Sequence, residues 1–277
     1  MTPLLVVDGD SFAHRAYHAL PAKAFRRSDG RPGNALTGFT NMLLRLWQDE
    51  QPRTVLVAWD RLDVPTYRHT AFTGYQGGRV FDDELVEQLD LLPTLVASSG
   101  LAVAKHPGYE ADDFLAAAAA REEAAGGASL VATSDRDAYQ LVTARTTILQ
   151  PVRGGGPPAR IDPAGVRERY GVEPSQVPDF IALRGDPSDK IPGARGVGEK
   201  RAADLLAQYG TLDAILDAGR FEAEADALRL FKRMATLDRD APLPALPDVV
   251  PDWSAAAAHV RELGLEGLAT RLEGAAA

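Results

Sequence analysis

Three apolar runs in the N-terminal half each lead into an aspartate: Leu-Leu-Val-Val into Asp8, Val-Leu-Val-Ala-Trp into Asp60, and Leu-Val-Ala-Thr-Ser into Asp135. Each one alone reads as a helix N-cap. Together they fall at the carboxyl ends of strand-like runs, the edge that lines the ligand crevice in open α/β sheets. Two further clusters join them. Glu110-Ala-Asp112-Asp113 opens a helical stretch, where acidic side chains suit the helix dipole, yet three acids in four positions exceed what a cap requires. Asp135-Arg-Asp137 repeats the theme two residues apart, and Asp186-Pro-Ser-Asp189 adds a pair in a later loop. The candidate metal ligands are therefore Asp8, Asp60, Glu110, Asp112, Asp113, Asp135, Asp137, Asp186 and Asp189. Such a set repels itself unless cations neutralise it. Oxygen ligands in a chain without cysteine favour Mg²⁺ or Mn²⁺ over zinc. Two divalent ions would offset four charges of a net charge of −9 and let the cleft accept phosphate. A two-ion site of this kind suits in-line attack of an activated water on a phosphodiester. His14 and His18, four residues apart, lack a third ligand and are expected to pack.

The elements that must hold these acids alternate in type. Leu4–Val7, Thr54–Trp59, Leu101–Ala104 and Ser129–Thr133 read as short strands, with helical stretches between them. Leu85, Leu89, Leu92 and Val96 recur at helical spacing behind Asp82, a predicted N-cap. Strands separated by helices imply a mostly parallel sheet covered on both faces. Pro151-Val-Arg-Gly-Gly-Gly-Pro-Pro158 reads as a loop, and Asp162-Pro163 opens a short helix that ends at Gly171. From Val172 the strand signal disappears and the chain reads as short helices ending in an alanine-rich tail, which places a domain boundary near 171. Trp47 and Trp59 are expected in the core, whereas Phe12, Tyr17 and Tyr75 are candidates for stacking on bases.

Ile191-Pro-Gly193-Ala-Arg-Gly196-Val-Gly198-Glu-Lys200 follows the last acidic pair. It fails as a phosphate-binding Walker loop, because Glu199 follows Gly198 and no serine or threonine follows Lys200. As a helix-hairpin-helix it fits. Gly193, Gly196 and Gly198 let the backbone approach a phosphate, the next helix start presents N–H groups, and Lys200 and Arg201 add charge. Such contacts read no base sequence. Composition bounds the rest. A chain of 277 residues, 45% hydrophobic and 25% charged, has material for two domains. Its net charge of −9 excludes a histone-like binder, and the absence of cysteine excludes disulfide scaffolds and cysteine nucleophiles. No apolar run approaches the roughly 18 residues of a membrane helix. The first residues read as a strand and not as a signal peptide, so a soluble cytoplasmic protein is expected.

Taken in order, these motifs resemble the bacterial and phage 5′ nucleases of the flap endonuclease superfamily, above all the 5′→3′ exonuclease domains that accompany bacterial polymerases. The resemblance is carried by Val-Asp8-Gly-Asp-Ser-Phe-Ala-His-Arg15-Ala-Tyr-His, Gly108-Tyr-Glu-Ala-Asp-Asp113, Thr133-Ser-Asp-Arg-Asp137, Gly185-Asp-Pro-Ser-Asp-Lys-Ile-Pro-Gly with Gly-Val-Gly-Glu-Lys200, and Leu237-Asp-Arg-Asp-Ala-Pro-Leu243. It implies a PIN-like α/β domain over residues 1–171, with a helical arch near 72–96. It further implies an all-helical helix-hairpin-helix domain with C-terminal helices over 172–277. It also implies that Asp8, Asp60, Glu110, Asp112, Asp135 and Asp137 bind Mg²⁺ or Mn²⁺ while Asp113, Asp186 and Asp189 complete or orient the set, that a K⁺ ion sits at the hairpin, and that Arg15 and Arg79 contact phosphate. At one position the chain departs from the family: Gln76 stands where a lysine reaches the scissile phosphate. Loss of that cation is expected to cost about tenfold to a thousandfold in rate unless Lys23, Arg26, Arg27 or Arg61 compensates. The implied function is a stand-alone, monomeric, metal-dependent 5′→3′ exonuclease and 5′ flap endonuclease acting on DNA flaps, overhangs and nicks in replication and repair, beside a DNA polymerase. The competing readings are a catalytically weak structure-specific DNA-binding protein, which Gln76 favours, and a PIN-type ribonuclease, which the hairpin disfavours.

Overall fold

The computed structural model describes residues 2–78 and 80–276. Six strands form one sheet: β1 (Leu4–Asp8), β2 (Thr54–Ala58), β3 (Ala102–Ala104), β4 (Ser129–Ala132), β5 (Thr146–Gln150) and β6 (Ala159–Ile161), in the order β3-β2-β1-β4-β5-β6. All neighbours are parallel except β5 and β6. The helices are α1 (Gly9–Ala19), α2 (Asn34–Glu50), α3 (Tyr67–Ala71), α4 (Asp83–Ser98), α5 (Ala111–Ala124), α6 (Pro163–Tyr170), α7 (Val177–Arg184), α8 (Glu199–Tyr209), α9 (Leu212–Asp217), α10 (Ala225–Ala235), α11 (Trp253–Glu262) and α12 (Glu266–Ala276). The four predicted strands are β1 to β4. β5 and β6 had not been expected.

Because side chains alternate along a strand, Leu4 and Val6 face one side of β1 while Leu5 and Val7 face the other, and all four are fully buried. One core joins Leu4, Val6, Leu56 and Val131 to the alanine-rich face of α5, then continues into Phe180 and Ile181 of α7, Leu206 of α8 and Leu228 of α10. The division expected near 171 thus falls inside a continuous core. The other core joins Leu5, Val7, Val55 and Val57 to Phe39 of α2 and to the Leu85, Leu89, Leu92 and Val96 face of α4, with Asp82 as N-cap. Trp253, Val260, Leu268 and Leu272 of α11 and α12 belong to this second core. The last two helices therefore pack on α4 and α2, over one face of the sheet, and not on the hairpin region that precedes them. The segment expected to be an arch, 72–96, is split in the same way: from Asp83 onward it is core helix, while Tyr75, Gln76, Val80 and Phe81 line the cleft.

Trp59 is buried, and Trp47 sits partly buried against Trp253 with ring centroids 5.5 Å apart. Two of the three expected stacking aromatics are misassigned. Phe12 and Tyr75 are each 3% exposed and present no ring face to a base. The described residues contain no helix long and apolar enough to cross a membrane.

Candidate active site

The strand order reverses direction at β1: β2 and β3 extend one way and β4 and β5 the other, which opens a crevice at the carboxyl ends of β1 and β4. Asp8 closes β1 and Asp135 follows β4, so they flank that crevice. The two edges are tied together. Thr133 Oγ1 donates to Asp8 Oδ2 at 2.7 Å, the Asp135 N–H donates to Thr133 Oγ1 at 3.0 Å, and the Ser11 N–H donates to Asp8 Oδ1 at 2.9 Å. On the β2 side, Asp60 Oδ1 accepts from the Ala111 N–H at 2.7 Å and so places the start of α5 over the strand ends. Asp137 follows Asp135 in a tight turn whose N–H donates to Asp135 Oδ1 at 2.9 Å.

Eight of the nine predicted acids, Asp8, Asp60, Glu110, Asp112, Asp135, Asp137, Asp186 and Asp189, line one cleft. The ninth does not. Asp113 is fully buried behind the cleft and accepts from Arg68 through both oxygens, at 2.7 and 2.9 Å, and from the backbone N–H groups of Glu110 and Asp238. It holds α5 in place and is corrected from ligand to structural anchor.

Two residues of the site had not been singled out. Asp10 lines the cleft and accepts from the Asp60 N–H at 2.7 Å. Its signal was the Asp-Gly-Asp spacing, masked by the ordinariness of an acid in a first helical turn. Arg68, fully buried, donates to Glu110 Oε2 at 2.7 Å and lies 3.7 Å from Asp112. Nothing in its local sequence marks it.

Of the other predicted residues, Arg15 donates to the Val152 carbonyl and is not among the cleft-lining side chains. Arg79 lies outside the described residues. Gln76 lines the cleft with its amide turned to Asp189 and Tyr75, at 3.1 Å each, and to no open phosphate position. Tyr17 is partly buried beside His18, with ring centroids 5.3 Å apart, while His14 packs on Phe81 at 5.3 Å.

Crowding and burial set the protonation of these acids. Burial pushes the Asp8 carboxyl up to about 7, helped by the charges of Asp60 and Asp135 and opposed by its bonds from Ser11 and Thr133. Glu110 is likewise pushed up to about 7, by burial and by Asp60 and Asp189 against the pull of Arg68 and the bond from Tyr75. Asp10, Asp112 and Asp137 are also held well above the usual carboxylate range, burial leading in each case. The folded chain therefore binds protons that the unfolded chain has released above about pH 4. Stability in chelator is expected to fall as pH rises from about 4 through about 7, where Asp8 and Glu110 are half ionised. Melting curves in EDTA across this window check the sign; a melting temperature that rises with pH contradicts it.

The hairpin joins α7 to α8. Asp186 accepts from the Ser188 N–H at 2.7 Å and exchanges backbone hydrogen bonds with Ile191, which folds residues 186–191 into a turn against the cleft. Gly193, at φ 75°, would drive a Cβ to 2.4 Å from the Gly185 nitrogen; its task is internal packing. Gly196 and Gly198 are different: a Cβ at either meets nothing within 4 Å, so both face open space. Lys200 and Arg201 are exposed beside them on α8.

Residues 3–171 match the 5′-3′ exonuclease N-terminal resolvase-like domain, and residues 172–253 match the 5′-3′ exonuclease C-terminal SAM fold. DNA polymerase I of Mycobacterium tuberculosis is 41% identical over 258 residues, which cover 89% of this chain and 28% of that protein. The chain thus spans less than a third of this relative. Among solved structures, a complex of the bacteriophage T5 flap endonuclease with DNA and metal ions superimposes with a TM-score of 0.71 at 18% identity, covering 99% of each chain. The catalytic core of Rad2 in complex with DNA substrate gives 0.60 at 16% identity, covering 98% of this chain and 92% of that one. At such identities these two likenesses concern the fold. With both of its parts matched in order and the acids of both meeting in one cleft, the chain belongs to the 5′-3′ exonuclease family of phosphodiester-cleaving nucleases.

Proposed function

We propose that the chain is a divalent-metal-dependent 5′ nuclease that removes nucleotides from 5′ ends of duplex DNA and cleaves 5′ flaps. In this reading residues 1–171 supply most of the chemistry and the hairpin region after 171 most of the duplex contact. The single observation that carries the reading is the cleft itself, where eight predicted acids and Asp10 converge at the switch point of the sheet.

The donor set fits Mg²⁺ or Mn²⁺. Every candidate ligand is a carboxylate oxygen, the donor type these hard cations take, and Asp112 Oδ1, 3.7 Å from Arg68, makes no hydrogen bond. Among the described residues no three acids yet converge closely enough to hold an ion as they stand. Asp8, Asp10, Asp60, Glu110, Asp112, Asp135 and Asp137 would hold the ions, with Asp186 and Asp189 on the far wall. When bound, two divalent cations supply the positive charge that lets a phosphodiester enter and stabilises the charge developing on it. The residues of the chain orient the acids: Thr133 and Ser11 fix Asp8, Arg68 fixes Glu110, and the turn at Asp186 brings the second wall up to the strand ends. Among the described residues Arg136 also lines the cleft, as does Arg184, which pairs with Asp186 and Glu199. A 5′-labelled DNA flap incubated with Mg²⁺, with Mn²⁺ and with EDTA tests the reading. Cleavage near the junction that requires the metal is expected; preference for an RNA flap would favour a ribonuclease.

The duplex partner is read through Gly196, Gly198, Lys200 and Arg201, with K⁺ as the ion of the hairpin. Replacing Gly198 by valine puts side-chain bulk into open space at φ −101°, a conformation any residue adopts. The melting temperature is expected to stay within about a degree, while affinity for duplexes of any sequence drops and its salt slope shrinks by about one counterion for each phosphate that the hairpin no longer reaches. Filter binding at several salt concentrations reads both quantities. Cytoplasmic action as a monomer, beside a DNA polymerase, completes the proposal.

A further inference from the structure

Residues 74–78 meet the hairpin turn through one residue. The Gln76 N–H donates to the Asp189 carbonyl at 3.1 Å, and its Nε2 donates both to Asp189 Oδ1 at 3.1 Å and to the Tyr75 hydroxyl at 3.1 Å. The Tyr75 hydroxyl in turn lies 2.9 Å from Glu110 Oε2 and 3.2 Å from Asp189 Oδ2. A phenol has one proton for these two carboxylates, so it cannot satisfy both. The second N–H of the Gln76 amide adds a bond at Asp189 Oδ1. A primary amide suits the place, because it gives one hydrogen to the phenol oxygen and one to the carboxylate while adding no charge. The backbone at Gln76 is left-handed, with φ 47°, which turns its N–H and its side chain toward the same partner.

We propose that Gln76 is a positioning residue: it docks Asp189, and with it the 186–190 turn, against Glu110 across the cleft, and holds both carboxyl groups in place toward a cation. The cation-holding part of this rests on the reading of the cleft as a metal site; the docking part does not. An alanine at 76 removes the amide. Asp189 Oδ1 then loses this donor, and the turn loosens. A lysine at 76 keeps the dock as an ion pair but cancels one acid, so the cleft holds cations less well.

Hydrogen–deuterium exchange of the metal-free chain and titration with Mn²⁺, followed by the electron paramagnetic resonance of the free ion, separate these effects. Gln76→Ala is expected to speed exchange over residues 186–190 by roughly tenfold, the signature of a local opening, and to weaken Mn²⁺ binding. Gln76→Lys is expected to leave that exchange unchanged and to weaken Mn²⁺ binding by about three- to tenfold, the effect of one unit charge several ångströms away in a partly solvated cleft. A purely structural role would leave Mn²⁺ binding by the lysine variant intact, and that result overturns the proposal. So does unaltered exchange in the alanine variant. If the unmodified chain binds no Mn²⁺, the metal reading of the cleft fails by itself, and the exchange experiment still decides whether Gln76 docks the turn.

Discussion

Asp135→Asn lowers single-turnover cleavage of a 5′-labelled DNA flap by at least about a hundredfold, the upper range for disturbing a metal ligand's surroundings. Duplex affinity and melting temperature hold or rise. The expectation follows from where Asp135 sits. Its side chain lies at the open crevice, exposed, with Oδ1 accepting from the Asp137 N–H at 2.9 Å. Asparagine keeps an acceptor at that atom, so the turn between Asp135 and Asp137 survives and the change is one of charge. Removing the charge relieves Asp8 and Asp137, whose carboxyls Asp135 pushes up. The chelated protein should therefore gain a little stability while the cleft loses part of its hold on a cation. Gly196, Gly198 and Lys200 are untouched, so binding persists. Rapid-quench cleavage with Mg²⁺ beside a binding titration in EDTA gives both readings; a rate within a few fold of the unmodified chain removes Asp135 from the chemistry.

What could be read from the sequence divides along physical lines. β1, β2 and β4 are continuous apolar runs because parallel strands at the centre of a sheet are covered on both faces, and that pattern also fixed where Asp8, Asp60 and Asp135 would emerge. β5 and β6 escaped notice for the same reason. β5 opens on two threonines and β6 is a three-residue antiparallel edge, so neither gives a run or a period long enough to register. Asp113 could not be told from Asp112 by spacing. Adjacent positions at a helix start point in different directions, and only the fold shows one entering the cleft and the other turning back to Arg68. By residue type Tyr75 is a candidate stacking ring; its burial against Glu110 and Asp189 is a tertiary fact. The return of α11 and α12 to the sheet is of this kind too, since their alanine and leucine faces would serve any helical neighbour.

Arg68→Met is expected to destabilise the chain by about 3–5 kcal/mol, the range for removing one partner of a buried ionic network. Arg68 is fully buried on α3, a helix of only five residues. Its guanidinium donates to both oxygens of Asp113, to Glu110, and to the Met234 and Thr236 carbonyls at the end of α10, at 2.7 to 3.3 Å. One cation thus joins α3, the start of α5 and the helical region beyond 171. Methionine fills much of the same volume but donates nothing. It strands Asp113, fully buried, with backbone donors and the distant Tyr67 hydroxyl as its remaining partners, and it leaves two carbonyls without their side-chain donor. The melting temperature should fall by about 10 °C for a chain of this length. Because the damage is an uncompensated charge and not a cavity, Asp113→Asn on the same background should restore part of the loss, although asparagine alone would destabilise the unmodified chain. A double-mutant cycle by chemical denaturation measures that coupling. Additive losses would show that Arg68 acts through packing, and a single-variant loss below about 1 kcal/mol would place the anchor of the acidic wall elsewhere.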